Sequence, residues 1–235
     1  MSNRRPDNVR KIGTLNEKPL HAALKAWYAR PRDLAEVSVD GFVVDIARDD
    51  LLVEIQTQNF SAIKRKMFSL TSRHPVRLVY PIPLEKWIVK LDDDETRQLS
   101  RRKSPKRGSA VHLFDELVSF PQLMTDPNFS LHVLFIHEEE ARTRTRKRRW
   151  RRRAWTKYER RLLRVVDQRL FCTPSDLAEL VPPALREPFT TRDLATAMSK
   201  PRRLAQRMAY CLREMKVLAV AGKRGNAFLY SRMKA

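Results

Sequence analysis

With 235 residues the chain has room for one large or two small domains, and a hydrophobic content of 42% is ordinary for a soluble protein. No stretch reaches the roughly 18 uninterrupted apolar residues of a membrane span, and the opening MSNRRPDNVRK lacks the apolar segment of a signal peptide, so a cytoplasmic protein with no membrane partner is expected. Basic residues outnumber acidic ones by 48 to 27, a net charge of +21 that favours a polyanionic partner, most commonly nucleic acid.

The excess is uneven: residues 1–140 carry 22 basic and 20 acidic side chains, residues 141–235 carry 26 and 7. In chain order, Asn16 can cap a helix from Glu17 to about Ala29, since Leu20, Ala23, Leu24 and Trp27 recur at helical spacing. Short apolar stretches then predict strands at 36–41, 42–47, 51–56, 76–82 and 86–91. Between the third and fourth, Phe60, Ile63, Met67 and Leu70 mark an amphipathic helix over 60–73. A basic loop, RQLSRRKSPKRG, occupies 97–108; a helix near 110–118 and a strand at 130–136 follow. The expected fold class is α/β, a mixed sheet flanked by helices.

Within VVDIARDDLLVEIQTQ (43–58), a hairpin turning at Asp49-Asp50 sets Arg48 against Leu51 and Asp45 against Glu54. Gln56 then shares the face of Glu54, while Val44, Ile46, Val53 and Ile55 form the other, apolar face. Carboxylates opposed across a ladder have Cβ atoms about 5 Å apart and destabilise it unless something compensates. Hydration would do so on a solvent-facing pair; a hard divalent cation such as Mg²⁺ would do so on a covered one.

Asp45, eight residues, then Glu54-Ile55-Gln56, following a helix that begins with Glu17 and preceding another, resembles the PD-(D/E)XK nuclease superfamily over about residues 12–91. The resemblance implies a restriction-endonuclease-like sheet in which Asp45 and Glu54 hold Mg²⁺ or Mn²⁺ together with the Ile55 carbonyl, and Glu17 is a helix-borne carboxylate. It also implies a lysine two residues after the glutamate, where this chain has Gln56; a neutral amide can orient water but cannot supply charge or move its proton. Lys64 or Lys66, from the following helix, can restore a cation, although solvated lysines on a polar helix face are the simpler account, as helix-face positions are for His21 and His74.

From Arg142 to Arg153 nine of twelve residues are Arg or Lys, which reads as an arginine-rich linker over 141–155 between a nuclease-like domain (1–140) and a second domain (156–235). Arg148, Arg149, Arg151, Arg152 and Arg153 are candidate phosphate contacts, with Trp150 and Trp155 able to stack on a base or pack at a junction. Beyond them, Tyr158, Leu162, Val165, Val166 and Leu170 make a helical stripe with Thr156 as its cap; Thr173/Asp176 and Thr190/Asp193 form capping boxes; a helix follows from Arg202 to Val217; and two strands close around Gly222-Lys223-Arg224-Gly225. That order resembles a winged helix-turn-helix, a mainly α domain over about 156–232, and implies that Arg202, Arg203, Gln206, Arg207, Tyr210, Lys223 and Arg224 contact DNA. Cys172 and Cys211 lie 39 positions apart with no Cys-x-x-Cys, which predicts buried thiols and no zinc site.

The resulting expectation is a nucleoid-associated, Mg²⁺-dependent DNA endonuclease brought to double-stranded DNA by a winged helix, with a homodimer compatible with a double-strand cut. The rival reading is a catalytically inactive nuclease-fold protein that binds DNA or regulates; an RNA or ribonucleoprotein binder is a third. No phosphate-binding glycine loop, serine elbow or His-Glu-x-x-His motif offers another enzyme.

Overall fold

The computed structural model describes residues 18–92, 94–95, 97–144 and 155–233. Helix α1 (Pro19–Tyr28) begins at a proline, as a first turn tolerates, and is followed by β1 (Leu34–Val39), β2 (Phe42–Arg48) and β3 (Leu51–Ile55). A 3-10 turn (Phe60–Ile63) runs into α2 (Lys64–Thr71), then come β4 (Val76–Leu91) and β5 (Gln98–Lys103). After a second 3-10 turn (Ala110–Leu113) come α3 (Phe114–Leu117), a third 3-10 turn (Pro121–Thr125), and the long pair β6 (Phe129–Arg144) and β7 (Trp155–Phe171). The chain ends in α4 (Pro174–Ala178), α5 (Thr191–Met198), α6 (Arg202–Glu214), β8 (Leu218–Arg224) and β9 (Ala227–Arg232).

Seven strands form one mixed sheet in the order β1-β2-β3-β4-β6-β7, with β5 on β4; β8 and β9 pair separately. The α/β class and the flanking helices are as expected. On one face α1 buries Leu20, Leu24 and Tyr28 against Ile46, Val53, Ile55, Val79, Leu134 and Ile136. On the other, α2 and α3 seal a larger core around Phe60, Phe114, Phe120, Phe129 and Leu131. That second core continues without a break into Leu177, Leu194, Leu204, Met208 and Leu212 of the C-terminal helices and Phe189 just before α5.

Four expectations need correction. The predicted helix over 156–170 is the strand β7, paired along its length to β6, so residues 155–171 belong to the large sheet and position 140 falls inside β6. The helical spacing arose from bulges: Ile136 opposes Val165, His137 opposes Arg164 and Glu138 opposes Leu162, which leaves Leu163 unopposed and returns Leu162 and Val165 to one face. The predicted strands at 76–82 and 86–91 are one strand, and the basic stretch taken for a loop contributes β5, with exposed side chains throughout. Finally, Cys211 is buried, burial pushing its thiol up to about 12, whereas Cys172 is exposed. Among the described residues no helix is long and apolar enough to cross a membrane.

The three consecutive glutamates that close the 1–140 stretch are structural. Glu138 is fully buried, accepts a hydrogen bond from Arg160 Nε at 2.8 Å with a second guanidinium nitrogen paired at 2.6 Å, and has Lys86 at 3.1 Å from its other oxygen, near enough for an ion pair but not aligned for a hydrogen bond. Glu140 pairs with Lys86 at 2.9 Å and Arg142 at 2.6 Å. Glu138→Ala would strand the Arg160 guanidinium in a desolvated setting, a loss that typically costs about 3–5 kcal/mol, while Lys86 keeps Glu140; urea unfolding should show a lower midpoint than for Glu140→Ala, whose partners are more open to water.

Candidate functional site

The β2–β3 hairpin has the register read from its turn: Arg48 opposes Leu51, Ala47 opposes Leu52 and Ile46 opposes Val53. The ladder stops there. The N–H of Ile55, which the next hydrogen-bonded rung would aim at Val44, instead donates to Asp45 Oδ2 at 2.8 Å. Beyond this point β2 swings round, so Val44 packs in the larger core while Ile46, two residues away, packs under α1. The single apolar face expected for Val44, Ile46, Val53 and Ile55 is therefore divided between two cores. Across β1, Glu36 lies between the rungs Ala35–Ile46 and Val37–Val44 and has a left-handed backbone, φ 54°.

Both departures serve α1. His21 and Lys25 stand four residues apart, hence on one helix face; His21 Nε2 lies 3.2 Å from Asp45 Oδ2, and Lys25 Nζ donates to Glu36 at 2.8 Å. From the opposite side α2 supplies Lys66, whose ammonium donates to Glu54 Oε2 and, at 2.6 Å, to the Val43 carbonyl. The four side chains read His21, Asp45, Glu54, Lys66, an acid pair held between two bases.

Burial acts first on both acids. For Asp45 it raises the carboxyl, but the His21 hydrogen bond and charge, the Ile55 N–H and the Lys66 charge outweigh it and leave the group below its ordinary range. For Glu54 burial and then the Asp45 charge prevail over Lys66 and lift it from 4.5 to about 7. One acid is kept ionised while its neighbour holds a proton near neutrality, the disposition expected where two carboxylates share a site.

Of the residues predicted for the site, Asp45 and Glu54 are brought together. Ile55 joins through its N–H, with its side chain in the α1 core. Gln56 turns away: its amide donates to the Asn59 carbonyl at 3.2 Å. Lys64 sits over the Phe68 ring at 6.0 Å, so the cation at the acids is Lys66. Ile63, Lys66, Met67 and Leu70 share a face at helical spacing, which sets Lys66 at the border of the buried stripe and Lys64 off it. Glu17 lies outside the described residues. His74 bonds Asp40 at 3.0 Å, in a different turn. His21, taken for a plain helix-face residue, shares its face with Leu24 and Tyr28, three and seven positions on, and that spacing was the available signal.

Of the predicted nucleic-acid contacts, Arg148, Arg149, Arg151, Arg152 and Arg153 lie outside the described residues. Arg202, Arg203, Gln206 and Tyr210 are exposed on α6, with Lys223 and Arg224 exposed at the end of β8. The turn of that hairpin is Gly225-Asn226, since Arg224 opposes Ala227. Arg207 faces inward: its guanidinium binds Asp115 Oδ1 at 2.5 Å and reaches the Asp115 carbonyl at 3.3 Å, docking α6 on α3.

A mixed α/β sheet with an acid pair between helix-borne His and Lys is thus the class of molecule. The chain belongs to the family described as "Domain of unknown function (DUF8091)", whose family model matches residues 18–172, from the residue before α1 to the residue after β7. An uncharacterized protein of Treponema pallidum (strain Nichols) is 32% identical over 221 residues, covering 93% of this chain and 86% of the relative, so the likeness extends through most of the C-terminal helices as well. No solved structure matches the chain.

The raised Glu54 carboxyl fixes a sign. The folded state holds that proton more tightly than the unfolded chain, so the group favours folding fully below about 4.5 and loses up to about 3 kcal/mol of that contribution as pH rises through about 7. Glu54→Gln should flatten the midpoint of urea unfolding between pH 5 and 8, and raise it relative to the parent protein at pH 8.

Proposed function

We propose that this protein is a metal-dependent DNA endonuclease of the PD-(D/E)XK kind, delivered by a C-terminal winged helix. The observation that carries the reading is the Asp45–Glu54 pair at the parting of β2 and β3, with Lys66 bonded to Glu54. Hard oxygen donors, one of them lifted to about 7 by burial and then by the charge of the other, are a fitting donor set for Mg²⁺ or Mn²⁺. Among the described residues no group of three or more His, Cys, Asp or Glu side chains gathers to hold an ion; Glu17, the third acid of the reading, precedes them. When bound, the cation would polarise a phosphodiester and lower the pKa of its water.

The chain's own residues divide the remaining work. His21 and the Ile55 N–H keep Asp45 ionised and fix its orientation. Lys66, reaching in from α2, supplies the positive charge that the neutral Gln56 cannot, where it would offset charge developing on the phosphate. The helices α5 and α6, the hairpin β8–β9 and the exposed Arg202, Arg203, Gln206, Tyr210, Lys223 and Arg224 support the winged-helix reading. Arg207 is withdrawn from the contact set. The inactive, DNA-holding reading draws on one observation: Gln56 is committed to Asn59 and Asp45 Oδ2 already serves two partners.

Incubation of the purified protein with duplex, branched and single-stranded DNA, and with RNA, should give Mg²⁺- or Mn²⁺-dependent cleavage of DNA. Asp45→Ala and Glu54→Ala should abolish it and Lys66→Ala should lower it by about 100-fold or more, the scale of one lost electrostatic group; Lys64→Ala should leave it near the parent rate. Cleavage that persists in Asp45→Ala would overturn the site, and binding without cleavage under every ion would favour the inactive reading.

A second expectation concerns the grip. Arg203→Ala and Lys223→Ala should each weaken duplex binding across sequences and reduce the slope of log K against log salt by about one. Truncation is the wrong tool, because a cut at 140 severs β6 and a cut after 172 uncovers the larger core.

A further inference from the structure

β3 ends at Ile55, and the chain then leaves the sheet through Thr57 and Gln58, while β7 continues past on the far side of α1. The space between these parts is a cavity of about 260 Å³ lined by Lys18, Pro19, Leu20, Thr57, Gln58, Glu159 and Arg160. Two of its walls adjoin the acid pair along the chain. Leu20 precedes His21, which bonds Asp45, and Thr57 follows the Glu54-Ile55-Gln56 segment.

The lining is chemically mixed in an informative way. Pro19 and Leu20 give an apolar surface. Glu159, whose side chain is 14% exposed, presents a carboxylate partnered by Arg161. Arg160 is not free to swing, since its guanidinium is bound to Glu138 at 2.8 Å and to the Thr57 carbonyl at 3.2 Å. Gln58 and Lys18 are exposed at the rim. A phosphate would be ill placed against Glu159. The edge of a nucleobase is well placed: the carboxylate accepts from base N–H groups, the Gln58 amide both donates and accepts, and Lys18 at the rim suits the adjoining backbone. Size sets the stoichiometry, because clefts for drug-sized ligands begin at about 300 Å³ and this one holds a single base, not a base pair.

We propose that the cavity receives one unpaired base next to the phosphodiester presented to Asp45 and Glu54, so that the preferred substrate is single-stranded, forked or mismatched and a perfect duplex is attacked only where a base is extruded. This rests on the nuclease reading above and names its substrate class. A duplex base would have to leave the stack first, which costs a few kcal/mol and penalises intact double strands.

The test uses the full chain in EDTA, so that binding is read apart from cleavage. Single strands carrying one abasic position, stepped along the oligonucleotide, are compared with the intact strand, and 2-aminopurine at each position reports its surroundings by fluorescence. The expected result is one position at which loss of the base weakens binding by about tenfold, the scale of one well-made edge contact, with a 2-aminopurine signal that differs from its neighbours. Gln58→Ala and Glu159→Gln should erase that discrimination while duplex binding through α6 and the β8–β9 hairpin is retained. Equal affinity for abasic and intact strands at every position, or discrimination untouched by both variants, overturns the base pocket and leaves the nuclease reading standing. Failure to bind any nucleic acid overturns both.

Discussion

The hydrogen bond from Ile55 N–H to Asp45 Oδ2 organises the whole N-terminal half. By taking the donor that a further rung would have used, the carboxylate ends the β2–β3 ladder at Ile46–Val53 and lets β2 turn. Val44 is thereby delivered to one core and Ile46 to the other, and Val43 is left with its carbonyl free for Lys66. Each consequence stabilises the cause. An ionised carboxylate can stay buried only if its lone pairs are met, and here a backbone N–H, an imidazole and a nearby ammonium meet them. The cost falls on Glu54, whose carboxyl is pushed up by its burial and further by the charge its neighbour keeps.

How much of this was legible follows from what each rule assumes. The hairpin register was readable because a two-residue turn leaves no freedom between the strands that flank it. The break at Asp45 was not, since register arithmetic presumes that every rung is made by backbone. Helices α1 and α2 showed in their spacing, and the same spacing separates Lys66 from Lys64 once Ile63, Met67 and Leu70 are known to face inward. β7 was misread for a physical reason: a strand bulged beside Leu162 and Val165 spaces its buried residues like a helix. β4 was divided in two at Pro81 and Pro83. Those prolines are tolerated because, between Val79, opposite the end of β3, and Trp87, opposite the end of β5, that edge of β4 has no strand partner. The missing N–H groups of Pro81 and Pro83 point there, and the loop that covers the gap approaches so closely that a Cβ on Gly108 would lie 2.4 Å from the Pro83 carbonyl.

Charge was the least reliable guide to architecture. Glu138, Glu139 and Glu140 adjoin the arginine run that was read as a linker, yet two of the three are buried and paired with Lys86, Arg142 and Arg160. Their partners lie up to 54 positions away, a separation that no local pattern reports. The arginines therefore divide into those that neutralise the sheet's own acids and those on the outside. Arg142 and Arg160 belong to the first group, Arg202 and Arg203 to the second.

The C-terminal helices bear on function through the way they are attached. α6 buries Leu204, Met208, Cys211 and Leu212 in the same core that α2 and α3 cover, and Arg207 ties it to Asp115 beside that core. Glu116, next in sequence, accepts from the N–H of Phe60, the first residue of the turn that leads into α2 and so to Lys66. A short path of packed and hydrogen-bonded groups thus joins the exposed face of α6 to the lysine at the acid pair. For a nuclease this attachment matters more than a tethered module would, because a strand gripped by α6 and the hairpin would meet Asp45 and Glu54 at a set distance and angle. In the proposed nuclease α6 and the hairpin would grip the backbone, and a strand flexible enough to dip a base toward Thr57 and Gln58 would bring its phosphodiester to the acids.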